Sequence, residues 1–262
     1  ISVAAKSLAK ALKVRGLMNI QFAVKGEELY VIEVNPRASR TVPFVSKATG
    51  IPLAKLAAKI MAGKTLKELG FTEEVLPPHY SVKEAVFPFI KFPGTDIALG
   101  PEMKSTGEVM GIDTNLGMAY AKSQMAASAA LPMSGNVFIS VADRQKPQIA
   151  VIAKGFHELG FSIYTTDGTA RVLGDDTPYT LLPKLHEGRP NVLDMIKNGE
   201  IQLIINTPDD REAHADAIKI RSGATANRIP IMTTLSGTRA SVEAIRSLQK
   251  QELTVVPLQD YH

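Results

Sequence analysis

The chain has 262 residues, 45% of them hydrophobic, with 30 basic and 26 acidic side chains and no cysteine. Such a length accommodates two domains, and the apolar fraction supports packed cores. The +4 charge is scattered rather than blocked, which speaks against nucleic-acid binding, the missing thiols exclude disulfides and cysteine-held zinc, and no apolar run reaches the length of a membrane span.

Without cysteine a reducing cytoplasm is the default compartment, although that absence is compatible with any compartment, and no signal peptide is visible. The first residues read as a helix, with Val3, Ala4, Leu8 and Leu12 at helical spacing. There is no initiator Met, and the chain reads as the C-terminal portion of a longer polypeptide.

Residues 16–25 and 29–35 then read as two strands around the polar turn Gly26-Glu27-Glu28. Met18, Ile20, Phe22 and Val24 share one face of the first strand, and Tyr30, Ile32 and Val34 share one face of the second. Pairing Val24 with Tyr30 sets Gln21 opposite Glu33 and Asn19 opposite Asn35, all on the polar face. One carboxylate and several amides so gathered offer hard oxygen ligands of the kind Mg²⁺ takes alongside phosphate and water. Arg37 and Arg40 follow Pro36, and their guanidinium forks suit phosphate or carboxylate oxygens. The plainer alternative is an amphipathic edge with one solvated face.

A helix is expected over 52–62, with Leu53, Leu56, Ala57 and Ile60 on one stripe and Gly63 as its stop. A proline-rich extended stretch fills 76–101, and another helix covers 116–127. The small-residue run 126–135 ends in Pro and Gly signals and places a domain boundary between 128 and 129, giving domains 1–128 and 129–262.

Beyond it, strands at 136–141, 161–165, 201–206, 231–234 and 253–257 alternate with helices at 146–159, 192–198, 210–221 and 238–250. That alternation predicts an α/β domain with a doubly wound parallel sheet, whose ligands bind at the carboxyl ends of strands. One such end is Thr165-Thr166-Asp167-Gly168-Thr169-Ala170, where free N–H groups and a helix start suit a phosphate. Ser140, Lys146, Lys184 and Asn206 lie at topologically compatible places. An ordinary N-cap is the competing reading of the turn. The five histidines, His79, His157, His186, His214 and His262, form no pair at metal-ligand spacing.

The run from Asn19 to Gly50, with Gln-Phe-Ala-Val-Lys and Ile-Glu-Val-Asn-Pro-Arg-Ala-Ser-Arg-Thr-Val-Pro-Phe-Val-Ser-Lys-Ala-Thr-Gly, resembles the large subunit of carbamoyl phosphate synthetase. The likeness continues through Tyr80-Ser81-Val82-Lys83-Glu84, Lys91-Phe92-Pro93-Gly94, residues 100–111, 186–190 and Ile205-Asn206-Thr207. It implies the C-terminal lobe of an ATP-grasp domain, a mixed or antiparallel sheet with helices, followed by an allosteric domain similar to methylglyoxal synthase.

By that resemblance Gln21, Glu33 and Asn35 bind Mg²⁺ or Mn²⁺ bridging the phosphates of ATP, and Arg37 and Arg40 steady the transferred phosphoryl group or carbamate. The implied reaction is phosphorylation of carbamate to carbamoyl phosphate. The implied partners are a glutamine amidotransferase small subunit and the remainder of the large chain. Ser140, Lys146, Thr166, Thr169, Lys184 and Asn206 correspond to positions that bind a nucleoside monophosphate effector such as UMP or IMP. Glu84 and Thr233 match an ornithine-type effector site. Asp167 and Pro208 depart from the His and Thr of enterobacterial members, and Ile231 departs from the Tyr expected near Thr233. A reading of another class is a catalytically inert nucleotide-binding module, because most of the nucleotide-gripping lobe of an ATP-grasp site is not in these residues.

Overall fold

A computed structural model describes residues 1–91, 97, 107–207 and 214–262. Phe92-Pro93-Gly94, residues 100–106, Pro208 and the start of the helix expected from 210 lie outside the described residues. The chain forms two compact units, Ile1–Pro78 with Val255–His262, and His79–Thr254.

The first unit holds α1 (Ser2–Ala11), the antiparallel hairpin β1 (Asn19–Lys25) and β2 (Glu28–Asn35), α2 (Thr41–Thr49) and α3 (Leu53–Met61). Gly26 takes φ 61° in the hairpin turn, a conformation open to glycine at little cost. Helix α3 places Leu53, Leu56, Ala57 and Ile60 on its partly buried side, as the spacing predicts. Helix α2 is not predicted by the sequence reading, because Thr41, Val42 and Val45 are β-branched and Pro43 interrupts the run. Pro43 falls in the first turn, where its missing N–H costs nothing, and Gly50 at φ 71° ends the helix. The chain end returns as a 3₁₀ turn, Leu258–Tyr261, and the His262 ring nitrogen Nε2 lies 2.7 Å from the Lys47 carbonyl. The strand expected at 253–257 does not form. Val255 is 89% exposed, and Pro257 supplies no donor for a ladder.

The second unit begins with β3 (Tyr80–Val86) and β4 (Gly107–Asp113), an antiparallel pair covered by α4 (Leu116–Ala126). Then follow β5 (Gly135–Ser140), α5 (Lys146–Glu158), β6 (Phe161–Thr165), α6 (Asp167–Ala170), β7 (Tyr179–Leu181), α7 (Val192–Lys197), β8 (Leu203–Asn206), α8 (His214–Ala226), β9 (Ile231–Met232) and α9 (Leu235–Lys250). The five parallel strands run in the order β7-β6-β5-β8-β9.

Alternation along the central strands divides the core. Val137, Ile139, Leu203 and Ile205 pack with Ile149, Ile152 and Phe156 of α5 and with Val242 and Ile245 of α9. Phe138 and Ile204, pointing the other way, pack with Val192, Met195 and Ile196 of α7 and Ile220 and Ala224 of α8. A strand stretch buried on both faces must be apolar, as Val137-Phe138-Ile139 of β5 and Leu203-Ile204-Ile205 of β8 are. The strand order reverses between them, and such a reversal opens a crevice at their carboxyl ends. Ser140 and Asn206 are register partners there.

The contact grouping does not follow the line expected between 128 and 129. Helix α4 lies so close to α9 that a Cβ on Gly117 would stand 2.7 Å from the Glu243 carbonyl. A Cβ on Gly111 of β4 would overlap the Ala119 carbonyl of α4. Residues 79–128 therefore form one packed body with the parallel sheet.

Candidate functional site

Strand pairing assembles the first set of polar groups. Gln21 is the register partner of Glu33, and Asn19 of Asn35, as expected. Directly opposed residues share a face. The route to that register differs from the expectation: Val24 pairs with Leu29 and Ala23 with Tyr30. A bulge between Gln21 and Phe22 leaves Ile32 without an opposite residue, which restores the alignment beyond it. Tyr30, Ile32 and Val34 consequently do not form one continuous apolar face.

The Asn35 amide donates to Glu33 Oε1 at 2.9 Å. Gln21 and Glu33 are exposed and Asn35 is half-buried. Arg37 donates its backbone N–H to the Asn35 carbonyl at 2.9 Å and its Nη1 to the Ala38 carbonyl at 3.0 Å, while Arg40 is the residue from which α2 starts. One carboxylate with amide oxygens is a donor set that fits a hard divalent cation sharing its other positions with phosphate and water. Among the described residues no cluster of three or more His, Asp or Glu forms a separate metal centre.

The crevice at the ends of β5 and β8 is a cavity of about 530 Å³. Ser140, Thr166, Lys184 and Asn206 line it. Lys146 and Thr169 are not on its wall. The Lys146 ammonium pairs with Asp143, whose carboxyl that bond holds below its usual range. A Cβ on Gly168 would meet that ammonium at 3.3 Å, so Lys146 sits against the turn between β6 and α6. Thr169 is buried, and its hydroxyl accepts from the Val141 N–H at 3.3 Å, which ties the turn to the end of β5. Lys184 Nζ stands 3.7 Å from Glu187.

Sequence reasoning named Thr207 with Asn206 at this strand end but did not place His186, Asp216 or Arg221 in the site. Thr207 lines the cavity, and its hydroxyl oxygen accepts from the Ala142 N–H at 3.0 Å. His186 and Asp216 also line it, with Nδ1 and Oδ2 3.4 Å apart. Arg221 lies behind Asn206, fully buried, and donates Nη1 to Asn206 Oδ1 at 3.0 Å. The available signal was the helical stripe Ala217, Ile220, Arg221 and Ala224, in which an ion occupies a core position.

Glu84 and Thr233 are brought together on the wall of another cavity, of about 660 Å³, shared with Ile231, Phe87, Phe89 and Gln124. Gln124 Nε2 donates to Glu84 Oε2 at 2.8 Å. Burial pushes the Glu84 carboxyl above its ordinary range, and the Gln124 bond only partly opposes this.

Residues 1–69 match the family described as "Carbamoyl-phosphate synthase L chain, ATP binding domain", and residues 148–233 match "MGS-like domain". The chain is 57% identical over 260 residues to the carbamoyl phosphate synthase large chain of Nostoc sp., covering 97% of this chain and 24% of that protein. It is 54% identical over 263 residues to the large chain of Pseudomonas putida, covering 100% and 24%. It is 53% identical over 257 residues to the arginine-specific large chain, chloroplastic, of Oryza sativa subsp. japonica, covering 97% and 22%. The chain spans about a quarter of the length of the curated relatives it matches. It belongs to the carbamoyl phosphate synthase large-chain family.

Proposed function

We propose, with that membership as premise, that the chain serves ATP-dependent synthesis of carbamoyl phosphate. Residues 1–128 would supply part of the ATP-grasp site and residues 129–262 the allosteric domain. The observation that carries this reading is the convergence of Gln21, Glu33 and Asn35 on one exposed face of the hairpin.

Phosphoryl transfer requires chiefly positioning and neutralisation of charge. Gln21, Glu33 and Asn35 would hold Mg²⁺ or Mn²⁺, which supplies charge neutralisation at the ATP phosphates when bound. The Asn35 bond to Glu33 fixes the carboxylate direction and leaves the amide oxygen of Asn35 for the same task. Arg37 and Arg40 would bind the transferred phosphoryl group or carbamate with guanidinium N–H groups. The cavity at Ser140 and Asn206 would take a nucleoside monophosphate, UMP or IMP, and the Glu84–Thr233 cavity a cationic, ornithine-type effector.

The remainder of a large chain and a glutamine amidotransferase small subunit are the proposed partners, in the cytoplasm, with the product entering pyrimidine or arginine synthesis. No helix among the described residues is long and apolar enough to cross a membrane. Glu33→Ala in the complete enzyme tests the reading. Carbamoyl phosphate formation from carbamate is expected to collapse while bicarbonate-dependent ATP hydrolysis at the other ATP site persists; undiminished synthesis rejects it.

A second reading is favoured by the low burial of the first unit, in which Ala48 is the one buried apolar residue among those described. On that reading the 262 residues alone bind nucleotide and catalyse nothing. Calorimetry with UMP and IMP beside an activity assay distinguishes the two, since binding without turnover supports the module.

A further inference from the structure

We infer that Arg221 is a positioning residue for the cavity at the ends of β5 and β8: it fixes which end of the Asn206 amide faces a ligand, and so restricts that subsite to hydrogen-bond acceptors. The inference rests on the nucleotide reading for its probe and on the side-chain geometry for its content.

Arg221 has no solvent exposure and lies on α8 beside Ala217, Ile220 and Ala224, which are themselves buried. Its Nη1 donates to Asn206 Oδ1 at 3.0 Å. A guanidinium carries donors only and keeps its proton throughout the accessible pH range. A turned Asn206 amide would set NH₂ against N–H deep in the protein, leaving two donors facing each other without acceptors. That arrangement carries the full penalty of unsatisfied buried polar groups. The amide orientation is thus dictated by Arg221 chemistry.

Asn206 Nδ2 consequently points away from Arg221. It donates to the Ser140 carbonyl across 3.4 Å, a long contact, and an amide nitrogen has a second hydrogen to give. Asn206 forms part of the cavity wall, so that hydrogen is the one a ligand meets. Neighbouring Thr207 has the same polarity: its oxygen is engaged by the Ala142 N–H, which leaves its hydroxyl hydrogen to donate. Lys184 adds an ammonium to the wall, while the acceptor Asp216 is engaged with His186. The strand ends therefore favour a phosphate or carbonyl oxygen and reject an ammonium or an amide N–H.

The test is calorimetric titration of the intact protein with UMP, IMP and inorganic phosphate, alongside thermal melting, for wild type, Asn206→Ala, Asn206→Asp and Arg221→Gln. Affinity is expected to fall in the order wild type, Asn206→Ala, Asn206→Asp, with the last weakened more than about tenfold because an acceptor now faces an acceptor. Asn206→Asp should nevertheless melt higher than Asn206→Ala, because it keeps an oxygen for the Arg221 donors, although its other oxygen now faces the Ser140 carbonyl. Arg221→Gln, which can present either end of its own amide, should lose about tenfold in UMP affinity. Asn206→Asp binding better than Asn206→Ala overturns the inference, as does a stable Arg221→Gln that binds UMP within about twofold of wild type. Should Arg221→Gln fail to fold, the Asn206 series decides. Wild type that binds none of the three probes sinks the nucleotide reading; the polarity then stands or falls on melting alone, and an Asn206→Asp less stable than Asn206→Ala refutes it.

Discussion

Asn35 donates its side-chain amide to the Glu33 carboxylate at 2.9 Å, which locks two residues of one strand, two positions apart, onto the same exposed face. On the proposed reading, the bond would orient the carboxylate for a cation. Removing it leaves Glu33 in place but free to rotate.

Asn35→Ala should therefore raise the Mg²⁺ concentration needed for half-maximal carbamoyl phosphate synthesis by about tenfold, the usual cost of losing a group that orients or joins a ligand set. A magnesium titration of the complete enzyme at saturating ATP checks this. An unchanged midpoint would remove Asn35 from the metal site.

Glu84 is held above its ordinary range by burial. A carboxyl whose folded value is raised gives stability that is present below its unfolded value and lost as pH rises through the folded value. Glu84→Gln, which keeps the shape without the charge, should therefore raise the melting temperature at neutral pH. The difference from wild type should vanish as pH falls below about 4.5, where both side chains are neutral. The same variant should lose affinity for a cationic effector such as ornithine. Melting curves across pH and an ornithine titration test the two consequences separately.

Asn191 caps α7, accepting from the Leu193 N–H at 3.0 Å, while Asp194 accepts in return from the Asn191 N–H at 3.0 Å. Asn191→Ala should cost about 1 kcal/mol in denaturant unfolding. Arg189 beside Asp194 holds that carboxyl down at about 2. A depressed carboxyl stabilises above its unfolded value and ceases to do so as pH falls through the folded one. This contribution should accordingly disappear between pH 3.8 and about 2, and an Asp194→Asn variant should show a flatter loss of stability over that window.

Gly117→Ala places a methyl group against the Glu243 carbonyl of α9, on backbone that cannot step aside. Overpacking of this kind costs about 1–3 kcal/mol. Chemical denaturation should show the loss, and a variant as stable as wild type would mean that α4 and α9 stand further apart than described.

How much of this was legible in the sequence depends on what kind of physics each feature obeys. The polar face of the hairpin was legible because alternation is local. The expected Val24–Tyr30 pairing was one residue out, and the bulge at Ile32 cancelled the error; adjacent apolar Val31 and Ile32 give alternation nothing with which to reveal a bulge. The central strands and most helices of the parallel sheet followed from period and length alone. Helix α2 did not, because β-branched residues and Pro43 argue against a helix that tertiary packing nonetheless supports. The strand expected at 253–257 had the composition but no ladder partner. Within the cavity, Ser140, Thr166, Lys184 and Asn206 were reachable from strand-end logic. Arg221 was not, since its role depends on a carbonyl oxygen 15 residues away that no spacing rule connects to it.

The fit of α4 against α9 has a practical corollary for anyone wishing to excise the parallel-sheet portion. Severing the chain after Ser128 would strip α9 of the helix that presses on it at Gly117 and leave that flank wet. A cut just before His79 keeps the whole contact and should yield the better-behaved piece.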